Sequence, residues 1–214
     1  MPARRGGKFI TFEGGDGSGK TTQMHLLAAS LRNKGLDVVE TAEPGGTSIG
    51  MQVRRILLDP ANHNLSATAE MLLYFAARAQ NVDECILPAL NRGAVVLCDR
   101  FTDSTLAYQG AGRNLGEDEV LTVDRIACRG LIPDITILLD IGIETALERA
   151  RTRNRASTGS ESRLDDEAAE FHRRVQESYL RLAARHSERF VVVDARGPIP
   201  EVAKAVETAL GRRL

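Results

Sequence analysis

The sequence predicts an α/β protein in which five parallel strands form one sheet and helices cover both of its faces. Two features carry that expectation. Short apolar runs alternate with stretches of helical periodicity, and successive parallel strands must be joined by crossovers of about that length. One run, Ala94-Val95-Val96-Leu97-Cys98, is apolar throughout, which marks a strand covered from both sides. Ligands of such sheets bind beyond the carboxyl ends of the strands, so the segments leaving those ends are where chemistry is sought.

The first strand, Phe9-Ile10-Thr11-Phe12, runs toward Gly14-Gly15-Asp16-Gly17-Ser18-Gly19-Lys20-Thr21, which fits the pattern G-x-x-x-x-G-K-[ST]. Glycines let the backbone turn through positive φ, so successive N–H groups converge on one anion. The helix that follows adds its unpaired N–H groups and the positive end of its dipole. Lys20 then reaches the β- and γ-phosphates of a nucleoside triphosphate, and the Thr21 hydroxyl holds Mg²⁺. A strand before and a helix after separate this loop from a chance glycine-rich turn.

Met24, Leu27, Ala28 and Leu31 mark one face of that helix, and Gly35 closes it. Leu36-Asp37-Val38-Val39-Glu40 reads as the second strand and Glu43-Pro44-Gly45-Gly46-Thr47 as a turn. The next helix carries Val53, Ile56 and Leu57 inward, and residues 68–91 read as one long helix with Pro88 as a kink near its end. After the third strand come a helix over residues 117–129, strands at Ile135-Thr136-Ile137-Leu138-Leu139 and Phe190-Val191-Val192-Val193, and a terminal amphipathic helix over 198–210.

At 214 residues the chain suits one α/β domain with a sizeable core. A net charge of −1 argues against a nucleic-acid partner. The basic start (Arg4, Arg5, Lys8) has no apolar stretch behind it, so it is not read as a secretory signal. Nothing approaches the roughly 18 apolar residues of a membrane span, so no membrane partner is expected. Cys85, Cys98 and Cys128 form no C-x-x-C and read as buried free thiols of a reducing cytoplasm.

A triphosphate site also needs a carboxylate near the metal at the end of an apolar strand. Asp99 and Asp140 both qualify. Asp99 is preferred because Arg100 follows it and sets a cation beside the phosphates. It would act through water, since Mg²⁺ keeps much of its hydration. Asp140 reads equally as a helix cap or turn residue. Residues 149–163 carry Arg149, Arg151, Arg153, Arg155 and Arg163 around Ala156-Ser157-Thr158-Gly159-Ser160-Glu161-Ser162. Alone, that stretch is a solvated loop; in a protein that binds a polyanion it reads as a lid over phosphates, at about residues 149–164.

Several blocks, in order along nearly the whole chain, resemble the thymidylate kinases. They are Phe12-Glu13-Gly14 with Asp16, Glu43-Pro44-Gly45-Gly46-Thr47, Tyr74-Phe75-Ala76-Ala77-Arg78, and Asp99-Arg100-Phe101 leading into Ser104-Thr105-Leu106-Ala107-Tyr108-Gln109-Gly110. Ser162-Arg163-Leu164-Asp165 and Phe171-His172 resemble the family's lid and the helix after it. The resemblance implies a P-loop nucleoside monophosphate kinase fold with a short lid, in a single domain over residues 1–214. It implies transfer of the γ-phosphate of ATP to dTMP with Mg²⁺, for dTTP and DNA synthesis, by a cytoplasmic homodimer.

The resemblance also implies roles residue by residue. On the ATP side stand Gly14, Gly15, Asp16, Gly17, Ser18, Gly19, Lys20, Thr21, Thr22 and Arg149. Asp16 contacts the sugar 3′-hydroxyl of the acceptor. Arg54 and Arg100 clamp its phosphate, where forked guanidinium donors fit, and Glu43 and Pro44 lie beside it. Tyr74, by itself a packing residue, matches the ring that stacks on thymine, and Arg78 matches the donor to its O4. Ser104, Thr105 and Gln109 match polar contacts, and Tyr108 the ring that crowds the 2′ position. Lys20, Asp99 and Arg100 are candidate catalytic residues. One branch of the family carries an arginine where Gly17 stands; the other supplies it from the lid, so Arg153, Arg155 or Arg163 is expected to do so. Ala42 replaces an arginine common in relatives. Glu13 fits a catalytic, a metal-linked or a structural role. The rival readings are a kinase for another nucleoside monophosphate, with a different base pocket, a P-loop switch or partitioning ATPase, and a nucleotide-binding protein without catalysis, against which Lys20, Thr21, Asp99 and Arg100 all stand.

Overall fold

The computed structural model describes residues 6–142, 144–145, 167, 169–211 and 213. Its strands are β1 (Lys8–Glu13), β2 (Val38–Ala42), β3 (Val95–Asp99), β4 (Ile135–Asp140) and β5 (Phe190–Asp194). All neighbours are parallel, in the order β2-β3-β1-β4-β5. The helices are α1 (Lys20–Asn33), α2 (Ser48–Leu58), α3 (Ala67–Asn81), α4 (Leu87–Asn91), α5 (Thr102–Thr105), α6 (Glu117–Ala127), α7 (Ala169–Arg185) and α8 (Ile199–Leu210). The fold is the predicted one.

Alternation along the strands divides the core in two. Ile10, Phe12, Val95, Leu97, Ile137 and Leu139 face α1 and α8 through Met24, Leu27, Leu31, Val202, Val206 and Leu210. Phe9, Val96, Cys98 and Leu138 face the opposite way, against a larger cluster from α3, α6 and α7. Both faces of β1 and β3 are thus buried, as the apolar run at residues 94–98 requires.

Four local readings change. The second strand begins at Val38 and ends at Ala42, two residues later than expected. In α2, Leu57 is fully buried but Ile56 is exposed and Val53 is half-buried, so the inward face is narrower than its apolar residues imply. The long helix is interrupted before Pro88 by a π-helical turn, Val82–Ile86, in which Leu87 donates five residues back to the Val82 carbonyl. Pro88 lacks an N–H and its ring crowds the carbonyl of the preceding turn, and the wider turn absorbs that mismatch. Finally, α5 runs on into a second π-helical stretch, Leu106–Gly112, that periodicity did not reveal because nearly all of it is buried.

Phe9 is fully buried and meets the Phe101 ring edge-on, with centroids 4.9 Å apart. This contact seats the start of the Arg100 segment on the sheet. Phe9→Ala is expected to destabilise the fold by about 3–5 kcal/mol, read from the midpoint of urea unfolding.

Candidate active site

The chain leaves β1 at Glu13 and enters the loop at Gly14, whose φ is 135°. A Cβ there would lie 2.6 Å from the Leu139 carbonyl oxygen, so only glycine brings the loop this close to β4. Gly17 and Gly19 also have positive φ, and Gly19 leads directly into α1. The Lys20 ammonium turns into the loop. It donates to the carbonyls of Gly14 at 3.1 Å and Gly15 at 2.8 Å, and to Ser18 Oγ at 3.4 Å. Burial, then the neighbouring Arg100 cation, lowers its pKa to about 8.

The first turn of α1 leaves Thr21 and Thr22 exposed. Thr21 Oγ1 donates to Asp99 Oδ2 at 2.5 Å, so the hydroxyl and the carboxylate predicted for the metal lie together. Two hard oxygen donors at one end of the sheet fit Mg²⁺, which also takes water and phosphate ligands. Asp140 is a turn residue: its Oδ1 accepts the Gly142 N–H at 2.9 Å and the Gln176 amide at 2.8 Å.

Asp99 ends β3 beside Phe12 of β1, and the next residue, Arg100, has φ of 71°. A bulky residue in the left-handed region costs roughly 1–3 kcal/mol and persists only where its surroundings fix it. Here the Arg100 N–H donates to the Phe12 carbonyl at 2.9 Å and the Phe101 N–H to Glu13 Oε1 at 2.8 Å. The conformation sends the guanidinium back over the phosphate loop. Nη2 donates to Asp16 at 2.7 Å, and Nη1 to the Gly14 carbonyl at 3.2 Å. The guanidinium also lies 4.9 Å over the Tyr108 ring, whose hydroxyl donates to the second Asp16 oxygen at 3.0 Å.

Beyond Arg100 the candidate acceptor residues form a wall. Arg78 is buried between Phe75 and Phe101, 5.0 Å from each ring, and its Nε donates to the buried Glu43 carboxylate. Asn81 donates to the other Glu43 oxygen at 3.1 Å. Arg78 Nη1 is buried with no hydrogen-bond partner among the described residues, a donor left over for a ligand. Tyr74 is half-buried against the same cluster, and Arg54 donates to the Pro44 carbonyl at 3.0 Å. Thr105 is buried. Gln109 donates to the sealed Glu70 carboxylate at 2.8 Å, sharing it with Arg113. Gln109 is thus held by the protein through the amide expected to meet the base.

The structure brings Lys20, Thr21, Asp99, Asp16, Arg100, Ser104 and Tyr108 into one cluster at the carboxyl ends of β1 and β3. Arg149, Arg153, Arg155, Arg163 and the lid lie outside the described residues. Three participants carried no sequence signal: Glu70 and Arg113 behind Gln109, and Tyr179, an aromatic on the inner face of α7. Glu13 is sealed from solvent, and burial together with Asp103 raises its pKa to about 7.

A phosphate loop on the central strand, an oxygen pair suited to Mg²⁺ and a facing arginine define the class of P-loop nucleotide kinases. The thymidylate kinase family model matches residues 12–206. Thymidylate kinase of Pelobacter propionicus is 51% identical over 201 residues, covering 94% of this chain and 92% of that protein. That of Geobacter sulfurreducens is 50% identical over 209 residues, covering 97% and 98%. The crystal structure of thymidylate kinase from Ehrlichia chaffeensis superposes with a TM-score of 0.77 at 32% identity, over 96% of this chain and 99% of that one. The chain belongs to the thymidylate kinase family.

A triphosphate seated against Lys20 favours the ammonium and raises its pKa from about 8. ATP binding near pH 8 is therefore expected to take up protons. Calorimetry in buffers of different ionisation enthalpy measures this, and the uptake disappears in Lys20→Met.

Proposed function

We propose that the protein transfers the γ-phosphoryl group of ATP to dTMP, giving ADP and dTDP for dTTP and DNA synthesis. The observation that carries this reading is the contact of Arg100 and Tyr108 with Asp16 on the phosphate loop. It puts sugar- and phosphate-binding groups against the loop that holds the donor, so two nucleotides would meet end to end. The partly unpaired, buried Arg78 between aromatic rings supports a planar base with a carbonyl acceptor, such as thymine O4.

An oxygen of the acceptor phosphate attacks the γ-phosphorus in line, and the bond from that phosphorus to the β–γ bridging oxygen breaks, releasing ADP. The second pKa of a phosphate monoester is near 6, so at pH 7 the nucleophile is already ionised and no general base is required. What the chain must supply is the approach of two anions and neutralisation of charge spread over a loose transition state. Lys20 binds the donor phosphates and Arg100 the acceptor phosphate. Thr21 and Asp99 would hold Mg²⁺, the latter through water, and the ion would neutralise the donor oxygens. Gly17 stands where one branch of the family carries an arginine, so the reading assigns that charge to Arg153, Arg155 or Arg163 of a lid at about 149–164, in one domain spanning the chain. We place the enzyme in the cytoplasm, where its free thiols stay reduced, as a homodimer. Exposed Leu72 of α3 and Leu121 and Ile126 of α6, on helices that touch, support that assembly.

Lys20→Ala or Arg100→Ala is expected to lower kcat about 10²- to 10⁴-fold with the fold intact by circular dichroism. Among the lid variants Arg153→Ala, Arg155→Ala and Arg163→Ala, at least one should lose kcat to a similar degree; normal turnover in all three would remove the lid from the mechanism. Steady-state phosphorylation of dTMP, UMP, CMP and GMP tests the acceptor, and equal rates for dTMP and UMP would defeat the pocket reading.

A further inference from the structure

Among the described residues, the hydrogen bonds of the Arg100 guanidinium divide between two kinds of partner. Nη2 donates to Asp16 Oδ1 at 2.7 Å and to the Tyr108 hydroxyl at 3.3 Å. The Asp16 side chain is a quarter exposed, so this side borders solvent. Nη1 donates inward, to the Gly14 carbonyl at 3.2 Å, Ser104 Oγ at 3.1 Å and the Tyr179 hydroxyl at 3.3 Å. Ser104 and Tyr179 are buried, and both donate to one oxygen of Glu13, Oε2, at 2.5 Å and 3.0 Å. The other Glu13 oxygen accepts the Phe101 N–H, which fixes the main chain next to Arg100.

Hydrogen-bond valence gives this arrangement a direction. A guanidinium nitrogen only donates, and each hydroxyl has one proton to give and lone pairs to accept with. Ser104 Oγ and the Tyr179 hydroxyl also lie 2.8 Å apart, so the two hydroxyls and Glu13 Oε2 form one network whose oxygen lone pairs accept from Nη1. Glu13 is sealed from solvent, and its hydrogen bonds among the described residues come from the Phe101 N–H, Ser104 and Tyr179. A guanidinium is planar and rigid, so holding one terminal nitrogen also fixes the direction in which the other points.

The geometry points to Tyr179 and Glu13 as positioning residues: they hold Nη1 of Arg100 so that Nη2 can exchange Asp16 for the acceptor phosphate without the side chain losing its place. The inference rests on Arg100 being the acceptor-phosphate clamp. Asp16, released by Nη2, would be left for the acceptor's sugar.

A double-mutant cycle on dTMP binding, followed by calorimetry without ATP, tests it, since a residue acting only through Arg100 has no effect once Arg100 is removed. Tyr179→Phe, which deletes one oxygen, is expected to raise the dTMP Kd about 10-fold in the otherwise unchanged protein and less than about 2-fold in the Arg100→Ala background. The Kd for ATP should stay within about 2-fold. An equal loss of dTMP affinity in both backgrounds, or none in either, would overturn the positioning role while leaving the proposed activity standing. If the unsubstituted protein fails to bind dTMP at all, the proposed function falls, and this inference with it. Should Tyr179→Phe lose its cooperative thermal transition, Glu13→Gln enters the same cycle with the same two expected values.

Discussion

Glu13 closes the central strand with a carboxylate that no solvent reaches, and two separate helices supply the three donors that make its burial tolerable. An unpaired buried charge would cost several kcal/mol or be lost by protonation. Here the Phe101 N–H, the Ser104 hydroxyl on α5 and the Tyr179 hydroxyl on α7 satisfy it. Satisfying it therefore fastens both helices to the end of β1, one residue before the phosphate loop begins. A second buried pair works alongside: Asp103, next to Ser104, receives Arg189 through two bonds of 2.7 and 2.8 Å at the entry to β5. The strained turn at Arg100 depends on this frame, and so does the direction of its guanidinium.

Within that frame, Lys20 and Arg100 lie close enough for the charge of one to bear on the other. Each is occupied by the protein itself, Lys20 by loop carbonyls and Arg100 by Asp16. In the proposed reaction phosphate oxygens would replace these acceptors, and charges already fixed in place are the most effective toward a developing anion. The lowered pKa of Lys20 expresses the same tension, because burial and Arg100 both disfavour its charge until an anion offsets them.

The acceptor wall follows a similar rule. Arg78 and Glu43, both almost wholly buried, form an ion pair framed by Phe75, Phe101 and Asn81, and Glu70 is sealed beneath Gln109 and Arg113. Buried pairs add little net stability, since desolvation offsets most of their attraction. They do hold side chains at defined positions, and a leftover donor such as Arg78 Nη1 then has one direction in which to bond.

The sequence by itself determined the sheet, the order of its elements and the loop. Strand burial shows directly in runs such as residues 94–98, and the loop's glycines and Lys20 are dictated by local backbone geometry. The ordered blocks from Phe12 to Gln109 likewise identified the family and the candidates around Arg100. Only the tertiary structure decided which polar side chains face a ligand and which face one another. Gln109 is tied to Glu70, Arg78 is tied to Glu43, and Tyr179 reaches Arg100 across 79 residues of chain. In one dimension each of these looks like an ordinary polar or aromatic residue on a helix. The pairing that gives it a role is set by how α3, α5 and α7 pack onto the end of β1, a long-range balance of charge burial and hydrogen bonding that periodicity does not record.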